Sequence, residues 1–543
     1  MLNMKISFKR AQKITGMIIL ALVFMCMINM SNISANAAPQ ITMTVSACTI
    51  SGGNVVVTAV GTAPVTQDGM FYLFDLKPHE TGIGNRKDYC ATALAAPAVS
   101  FSTPLNHNTV TSKLYSRFVV AVLQNGKYQA VSNDMYITNP EAVATKTTSY
   151  PVKSKKGLTA DWRYSAELSD LGAGFASYEL DVSRFFMGAG VNYVYNGKPY
   201  SFNAEVVREY DIVCQKLASQ GCNVVMIIKN GYHKGTLDMI PAGGRVAGKQ
   251  CYAFNVDEQI PTEKLEALMS FLANRYSGTG YGSIHTWIIG NEVNTSNPWH
   301  YMGNVSEDTL AAHYAKEFRV CYNAIKSQNS GARVFISIDQ RWTHVDGTKG
   351  QFKAKNILDK FATYVNVSGN IDWGLSFHPY PVPIYNATFW SLPPAYARMN
   401  LIDHTDDTKM LSPLNCDVVT NHMLSPVLRA PGGAVRHMII SEMGFTSYNK
   451  SIPSDELRQA AALVYAYKLT SQNPFIEGVI IHRHVDHASE VASDGMAVGI
   501  RTESKIKYAY AVFKNMDKGN SQQYTDFALP LIGAASWAQL GLQ

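Results

Sequence analysis

Two rhythms of apolar and polar positions run along this chain, and one gives way to the other near residue 140. From Ile41 to Ile137 the apolar residues come in short β-type runs, such as Asn54-Val55-Val56-Val57-Thr58-Ala59-Val60 and Arg117-Phe118-Val119-Val120-Ala121-Val122. Turn residues separate them, as in Ser51-Gly52-Gly53 and Gln124-Asn125-Gly126, and no helical period is visible. Short strands punctuated in this way predict a small, immunoglobulin-like β-sandwich over residues 38–140. The Thr-, Ser- and Lys-rich stretch 141–156 reads as a linker.

Beyond it, apolar runs alternate with helical spacing. Strands are predicted at 157–161, 176–182, 223–229, 284–290, 333–339, 373–378, 438–442 and 478–482. Between and after them, helices are predicted at 165–171, 204–219, 261–276, around Leu310 to Cys321, at 354–362, 414–428, 454–469 and 507–515. In the third helix Leu265, Leu268, Met269 and Leu272 follow i, i+3, i+4, i+7 spacing, which puts them on one face. Eight strands each followed by a helix make an α/β chain of the (β/α)8 TIM-barrel class, assigned to residues 157–543.

The connections are unequal. Helix-to-strand links are short, as at Gln220-Gly221-Cys222, whereas the strand-to-helix links 230–260, 291–305, 340–350, 379–413 and 483–504 are long. Long ordered loops are usually functional, and in a barrel these all leave the C-terminal rim. Loop length alone therefore points to one end of the barrel.

Composition adds three points. Lys5, Lys9, Arg10 and Lys13 precede an apolar stretch from Met17 to Met30, and Ala35-Asn36-Ala37 fits a small-residue cleavage pattern. Residues 1–37 are thus expected to be a bacterial-type signal peptide, leaving a secreted, extracellular chain with no stable membrane insertion. The formal net charge of +6 falls to about +2 without that leader, so the basic balance says little for nucleic acid, which would ask for a concentrated basic face, and no nucleic-acid partner is expected. Seven cysteines remain after it, with no CxxC pair. A disulfide framework is not implied, and Cys48 with Cys90 is the pair to check for an isolated bridge.

The chemistry gathers at strand ends. Trp287-Ile288-Ile289-Gly290-Asn291-Glu292-Val293-Asn294 places Glu292 just past the fourth strand, and Ile439-Ile440-Ser441-Glu442-Met443-Gly444-Phe445 places Glu442 at the end of the seventh. In a closed barrel both can enter one central cleft. Glycosidic bond cleavage needs such a pair: one carboxyl to protonate the leaving oxygen, the other to attack the anomeric carbon or activate water.

These motifs, with His378-Pro379-Tyr380 at the end of the sixth strand, resemble the signature of the clan A glycoside hydrolases, retaining (β/α)8-barrel enzymes that include many cellulases, mannanases and β-glycosidases. The resemblance covers roughly residues 157–516. It implies that Glu292 is the acid/base, Glu442 the nucleophile and Asn291 a ligand of the sugar 2-hydroxyl. It further implies that Tyr380 hydrogen-bonds the nucleophile and that His378 lines the sugar site. The wording of these segments is more closely similar to a bacterial family known only as a domain of unknown function. One departure stands out. Such barrels commonly carry a Trp platform at the end of the eighth strand, and Ile480-Ile481-His482-Arg483-His484 has none. His482 and Arg483 are therefore candidate substrate contacts, Arg483 through an acidic substituent on the sugar.

Aromatic residues crowd the rim loops, and Trp299 and Trp342 are the candidate sugar platforms. The spacing His482-x-His484-x-Asp486-His487 resembles a dinuclear zinc motif, but no further His follows it and it lies at the end of a last barrel strand. The expectation is a retaining glycoside hydrolase acting on a polysaccharide or oligosaccharide, with no metal and no cofactor. The alternatives are a non-catalytic glycan-binding barrel and a metal-dependent hydrolase built on the histidine cluster.

Overall fold

A computed structural model describes residues 41–149 and 153–542; the expected leader lies outside the described residues. The barrel strands are β1 (Lys156–Thr159), β2 (Phe175–Asp181), β3 (Asn223–Lys229), β4 (Thr286–Ile289), β5 (Arg333–Ile338), β6 (Trp373–Phe377), β7 (Met438–Met443) and β8 (Ile476–Ile481). They pair in parallel and in sequence order, and β8 closes onto β1. The helices that follow them are α1 (Ala166–Asp170), α2 (Ala204–Ala218), α3 (Gln259–Arg275), α4 (Glu307–Gln328), α5 (Ala354–Val367), α6 (Cys416–His422), α7 (Glu456–Ser471) and α8 (Tyr508–Asn515). Each predicted strand and helix has its counterpart, with ends shifted by a few residues.

The strands read as continuous apolar runs because both faces are buried. Phe175, Val225, Ile227, Ile288, Phe335, Ile439 and Ile480 fill the barrel interior as one cluster. Their neighbours in sequence, such as Val224, Met226, Val334 and Ile440, join the outer core beneath the helices. Phe335 fits inside because the adjacent strand carries Gly374, where a Cβ would come within 2.4 Å of its ring. On α4, Leu310, Tyr314, Phe318 and Cys321 are buried, and the Ser306 hydroxyl caps the helix by accepting from Thr309 N.

The N-terminal strands form two antiparallel sheets. One holds Met43–Ser51, Asn54–Gly61 and Ala98–Pro104. The other holds Ala91–Leu94, Met70–Leu76, Arg117–Gln124 and Lys127–Ala130, with Met135–Tyr136 pairing on Arg117–Gln124. Residues Thr42–Gln543 form one compact unit. The sheets meet the barrel along α4, where Asn323 Nδ2 donates to Leu114 O at 3.0 Å and the Arg319 guanidinium lies 5.2 Å from the centre of the Tyr136 ring. The segment read as a linker is fastened too: Lys146 Nζ donates to Asn274 O at 2.9 Å, and Thr148 N to Asn329 Oδ1 at 3.0 Å.

Two features were not foreseen. A hairpin of Gly190–Tyr195 and Lys198–Asn203 is inserted between β2 and α2. The sixth helix is short, with only a 3-10 turn at Pro426–Leu428 completing the predicted stretch. All seven described cysteines are free thiols, Cys48 and Cys90 included. Among the described residues no helix is long and apolar enough to cross a membrane.

Candidate active site

The C-terminal rim holds a cavity of about 940 Å³, lined in part by Asn291, Glu292, His378, Tyr380, Glu442 and His482. Glu292 follows β4 directly. Its φ is +44°, in the left-handed region that a glutamate rarely adopts. Such a conformation costs ~1–3 kcal/mol and persists only where its surroundings impose it. Here the turn begins with Gly290 at φ +76°, where a Cβ would lie 2.9 Å from His300 Nδ1. Tyr314 Oη holds the strand end by donating to Ile289 O at 2.6 Å, and Glu292 N donates to Ser337 Oγ at 3.3 Å.

His378, at the end of β6, is buried between the two glutamates. Its Nδ1 lies 2.8 Å from Glu292 Oε1 and 3.9 Å from Glu442 Oε2. The two oxygens are therefore less than about 7 Å apart. The other ring nitrogen, Nε2, is 2.9 Å from Ser441 Oγ and 3.4 Å from Ser337 Oγ, which fixes the ring plane. Tyr380 Oη donates to Glu442 Oε2 at 3.2 Å.

The two carboxyls are displaced in opposite directions. Burial raises the pKa of Glu292, and the nearby Asp339 and Glu442 add to this, more than the His378 hydrogen bond takes away. Burial also acts to raise Glu442, but His378, His482, Lys229 and the Tyr380 hydroxyl outweigh it and hold this carboxyl below its ordinary range. For His378, burial disfavours the cation, yet Glu442, Glu292 and Asp339 prevail and raise its pKa. A pair pushed apart in this way can offer one proton donor and one anion at the same pH.

Asn291 is buried beside Glu292, and its Oδ1 has no hydrogen-bond partner. Trp299 lines the cavity, with Lys229 Nζ 5.8 Å from its ring centre. His482 packs edge-on to Tyr380 with ring centres 6.4 Å apart.

One expectation needs correction. Trp342 is fully buried, donates from Nε1 to Asp406 O at 3.0 Å and packs against His422, so it presents no face to a sugar. Arg483 lines the cavity, but its guanidinium is committed to Glu490 Oε1 at 2.5 Å and to the ring of His482. An acidic substituent would share the guanidinium with Glu490. The zinc-like spacing does not converge either. His484 bonds Glu167 at 2.9 Å, Asp486 pairs with Lys507 at 2.8 Å, and His487 is exposed beside Ser489. Among the described residues no three His, Cys, Asp or Glu side chains group as metal ligands.

Several site residues went unread in the sequence. Asp339, just past β5, accepts from Asn294 Nδ2 and Thr295 Oγ1, both at 2.6 Å, and so locks the Glu292 loop to the next strand. Lys229 at the end of β3 pairs with Glu179 on β2. Asp339 and Lys229 do carry a signal: each is a charged residue closing an apolar run, as Glu292 and Glu442 are.

Residues 148–540 match a family described as a family of unknown function, DUF5722. No curated protein sequence matches the chain. Among solved structures, a family 39 glycoside hydrolase from the gut symbiont Bacteroides cellulosilyticus WH2 is similar at 12% identity and TM-score 0.42, over 84% of this chain and 79% of that one. A glucosidase from Croceicoccus marinus matches at 14% identity and TM-score 0.43, over 70% and 68% of the two chains. A β-glucuronidase from Ruminococcus gnavus in complex with D-glucuronic acid matches at 12% identity and TM-score 0.36, over 87% and 67%. The DUF5722 match runs through the whole barrel, and the chain belongs to that family.

Proposed function

We propose that this protein is a secreted retaining glycoside hydrolase acting on an extracellular glycan. The observation that carries the reading is the pair Glu292 and Glu442, both within 3.9 Å of one histidine nitrogen and displaced in opposite directions from the ordinary carboxylate pKa. Their shared histidine keeps one oxygen of each less than about 7 Å apart, which is compatible with the ~5–5.5 Å between carboxyls of a double displacement.

In the first step the ionised Glu442 attacks the anomeric carbon as Glu292 delivers its proton to the departing glycosidic oxygen. The C–O bond to the leaving group breaks and an ester to Glu442 forms. In the second step Glu292, now a carboxylate, takes a proton from water. The water oxygen attacks the same carbon, and Glu442 leaves with its electron pair. Tyr380 holds the attacking oxygen of Glu442, and His378 orients Glu292. Asn291 lines the cavity beside Glu292, where its side-chain amide would meet a sugar hydroxyl. Secretion rests on the leader pattern at residues 1–37.

The test is a panel of soluble and insoluble glycans incubated with the purified chain, with new reducing ends as the readout and the Glu442→Ala variant as the blank. Release above that blank, unchanged after prolonged chelation, supports the reading. Tight binding without release would favour a glycan-binding barrel instead, and release restored only by zinc would favour the metal-dependent alternative.

A further inference from the structure

Beside the cavity that holds the two glutamates lies a second one of about 470 Å³, over the ends of β1 and β2. Both volumes fall in the range of ~300–1,000 Å³ typical of small-molecule sites. Their linings share Glu179, Lys229, Arg483 and His487, so the two chambers meet at a charged waist. The double displacement uses none of the walls peculiar to the second chamber. Those walls include Trp162, from the loop after β1, and Tyr178 of β2, both only partly buried.

The electrostatics of this chamber select among ligands. Each Lys and Arg in its lining is already matched. Arg163 pairs with Asp161 at 2.6 Å, Arg184 with Glu209 at 2.6 Å, Lys229 with Glu179, and Arg483 with Glu490 at 2.5 Å. Five carboxylates, Asp161, Glu179, Asp181, Glu209 and Asp486, line it against those four cations, so a uronate or sulfate would compete with them for each cation and be repelled by the rest. Hydroxyl groups face no such competition. They can add to the fixed carboxylate and guanidinium edges as donors and acceptors, with the aromatic rings packing against the apolar side of a sugar.

We propose that the second chamber binds a further sugar unit, so that the substrate is an uncharged oligosaccharide or polysaccharide chain lying across both chambers. The inference rests on the glycosidase reading and names its substrate class. Binding energy collected in the second chamber, away from the reacting carbon, is then available to the transition state and shows as kcat/KM.

The experiment uses the full chain and the sugar that a glycan screen finds to be released. Its 4-nitrophenyl glycoside and its di-, tri- and tetrasaccharides are compared by kcat/KM in the unmodified protein and in Trp162→Ala, Tyr178→Ala and the double variant. The expected result is a gain of about tenfold or more on lengthening the chain, most of it lost in the variants. The ratio between long and short substrates is measured on one protein at a time, so a partly misfolded variant does not mimic the effect, and a thermal melt checks folding separately. A rate indifferent to length, or a gain that survives in the double variant, overturns the inference and leaves the glycosidase reading standing. A preference for uronate-containing or sulfated chains over neutral ones overturns it too. Failure to cleave any glycoside of any length would remove the reading beneath it.

Discussion

Glu266 of α3 and Glu442 of β7 are both carboxyl groups largely removed from water, and the molecule treats them in opposite ways. Glu266 lies at the seam between the N-terminal sheets and the barrel, near Tyr115, Tyr200 and Lys77. Burial pushes its pKa up to about 8, with Glu263 adding to this and Lys77 and Lys198 only partly opposing it. Glu442 is surrounded by His378, His482, Lys229 and the Tyr380 hydroxyl, and stays below the ordinary range. Glu292 resembles Glu266 in being raised by burial, but it sits within reach of an ionised partner in an open cavity. Burial of a carboxyl therefore does not identify a catalytic site. Two buried carboxyls driven apart within reach of one imidazole are a more specific mark, because that arrangement can keep an acid and a base side by side.

The largest effect that would sharpen this contrast is the loss of Glu442. Glu442→Ala should lower kcat by on the order of 10⁴-fold or more, as removal of a nucleophile does, measured on whichever glycan the screen identifies. A variant that retains a tenth of the activity would put Glu442 on the same footing as Glu266.

Glu292→Ala should cost ~10²–10⁴-fold on natural glycans and far less on activated aryl glycosides, whose leaving groups need little protonation. The pH profile should change with it. Glu292 must hold its proton, so activity falls as pH rises through its elevated pKa, and this basic limb of kcat/KM should vanish in the variant with an aryl substrate. The acidic limb, set by protonation of Glu442 below the ordinary carboxylate range, should remain.

Tyr380→Phe removes one donor to the ionised Glu442. The loss should be about ten- to a hundredfold in kcat/KM, in line with a hydrogen bond to a charged group. The acidic limb should move toward neutral pH, since the anion has lost a stabilising partner. An unmoved limb would mean that Tyr380 does not tune the nucleophile.

The seam supplies the smallest effect. Because Glu266 binds its proton more tightly in the folded chain than when unfolded, its contribution to stability falls as pH rises from about 4.5 to about 8. Glu266→Gln mimics the protonated form. Its melting temperature should match the unmodified protein near pH 4.5 and exceed it by a few degrees near pH 8. An advantage independent of pH would show that the seam does not hold a proton.

Much of the barrel was legible because a strand buried on both faces leaves an uninterrupted apolar run. A charged residue that ends such a run has to emerge at the rim. That reasoning finds Glu292 and Glu442, and applied evenly it would have found Asp339 and Lys229. Asn196-Gly197, in the left-handed region at φ +48° and +71°, is a hairpin-turn signal for the inserted Gly190–Tyr195 and Lys198–Asn203 pair. Other features depend on partners distant in sequence. Trp342 looks like Trp299 until the segment carrying Asp406 and His422 covers it. Arg483 looks free until Glu490, on the short rim helix Ala488–Asp494, pairs with it. The close approach of His300 to Gly290, just before the left-handed Glu292, is likewise announced by no local pattern.

The central claim is that Glu442 attacks and Glu292 transfers the proton. The most direct test runs both alanine variants on an activated aryl glycoside with added azide and reads the anomeric configuration of the glycosyl azide by NMR. In Glu442→Ala, azide takes the vacated place and attacks the sugar directly, giving inverted configuration. In Glu292→Ala, the ester to Glu442 still forms, and azide then displaces it with net retention. Those two outcomes are what this account predicts. A swapped pattern would reverse the roles, and full activity in either variant without azide would move the chemistry elsewhere in the barrel.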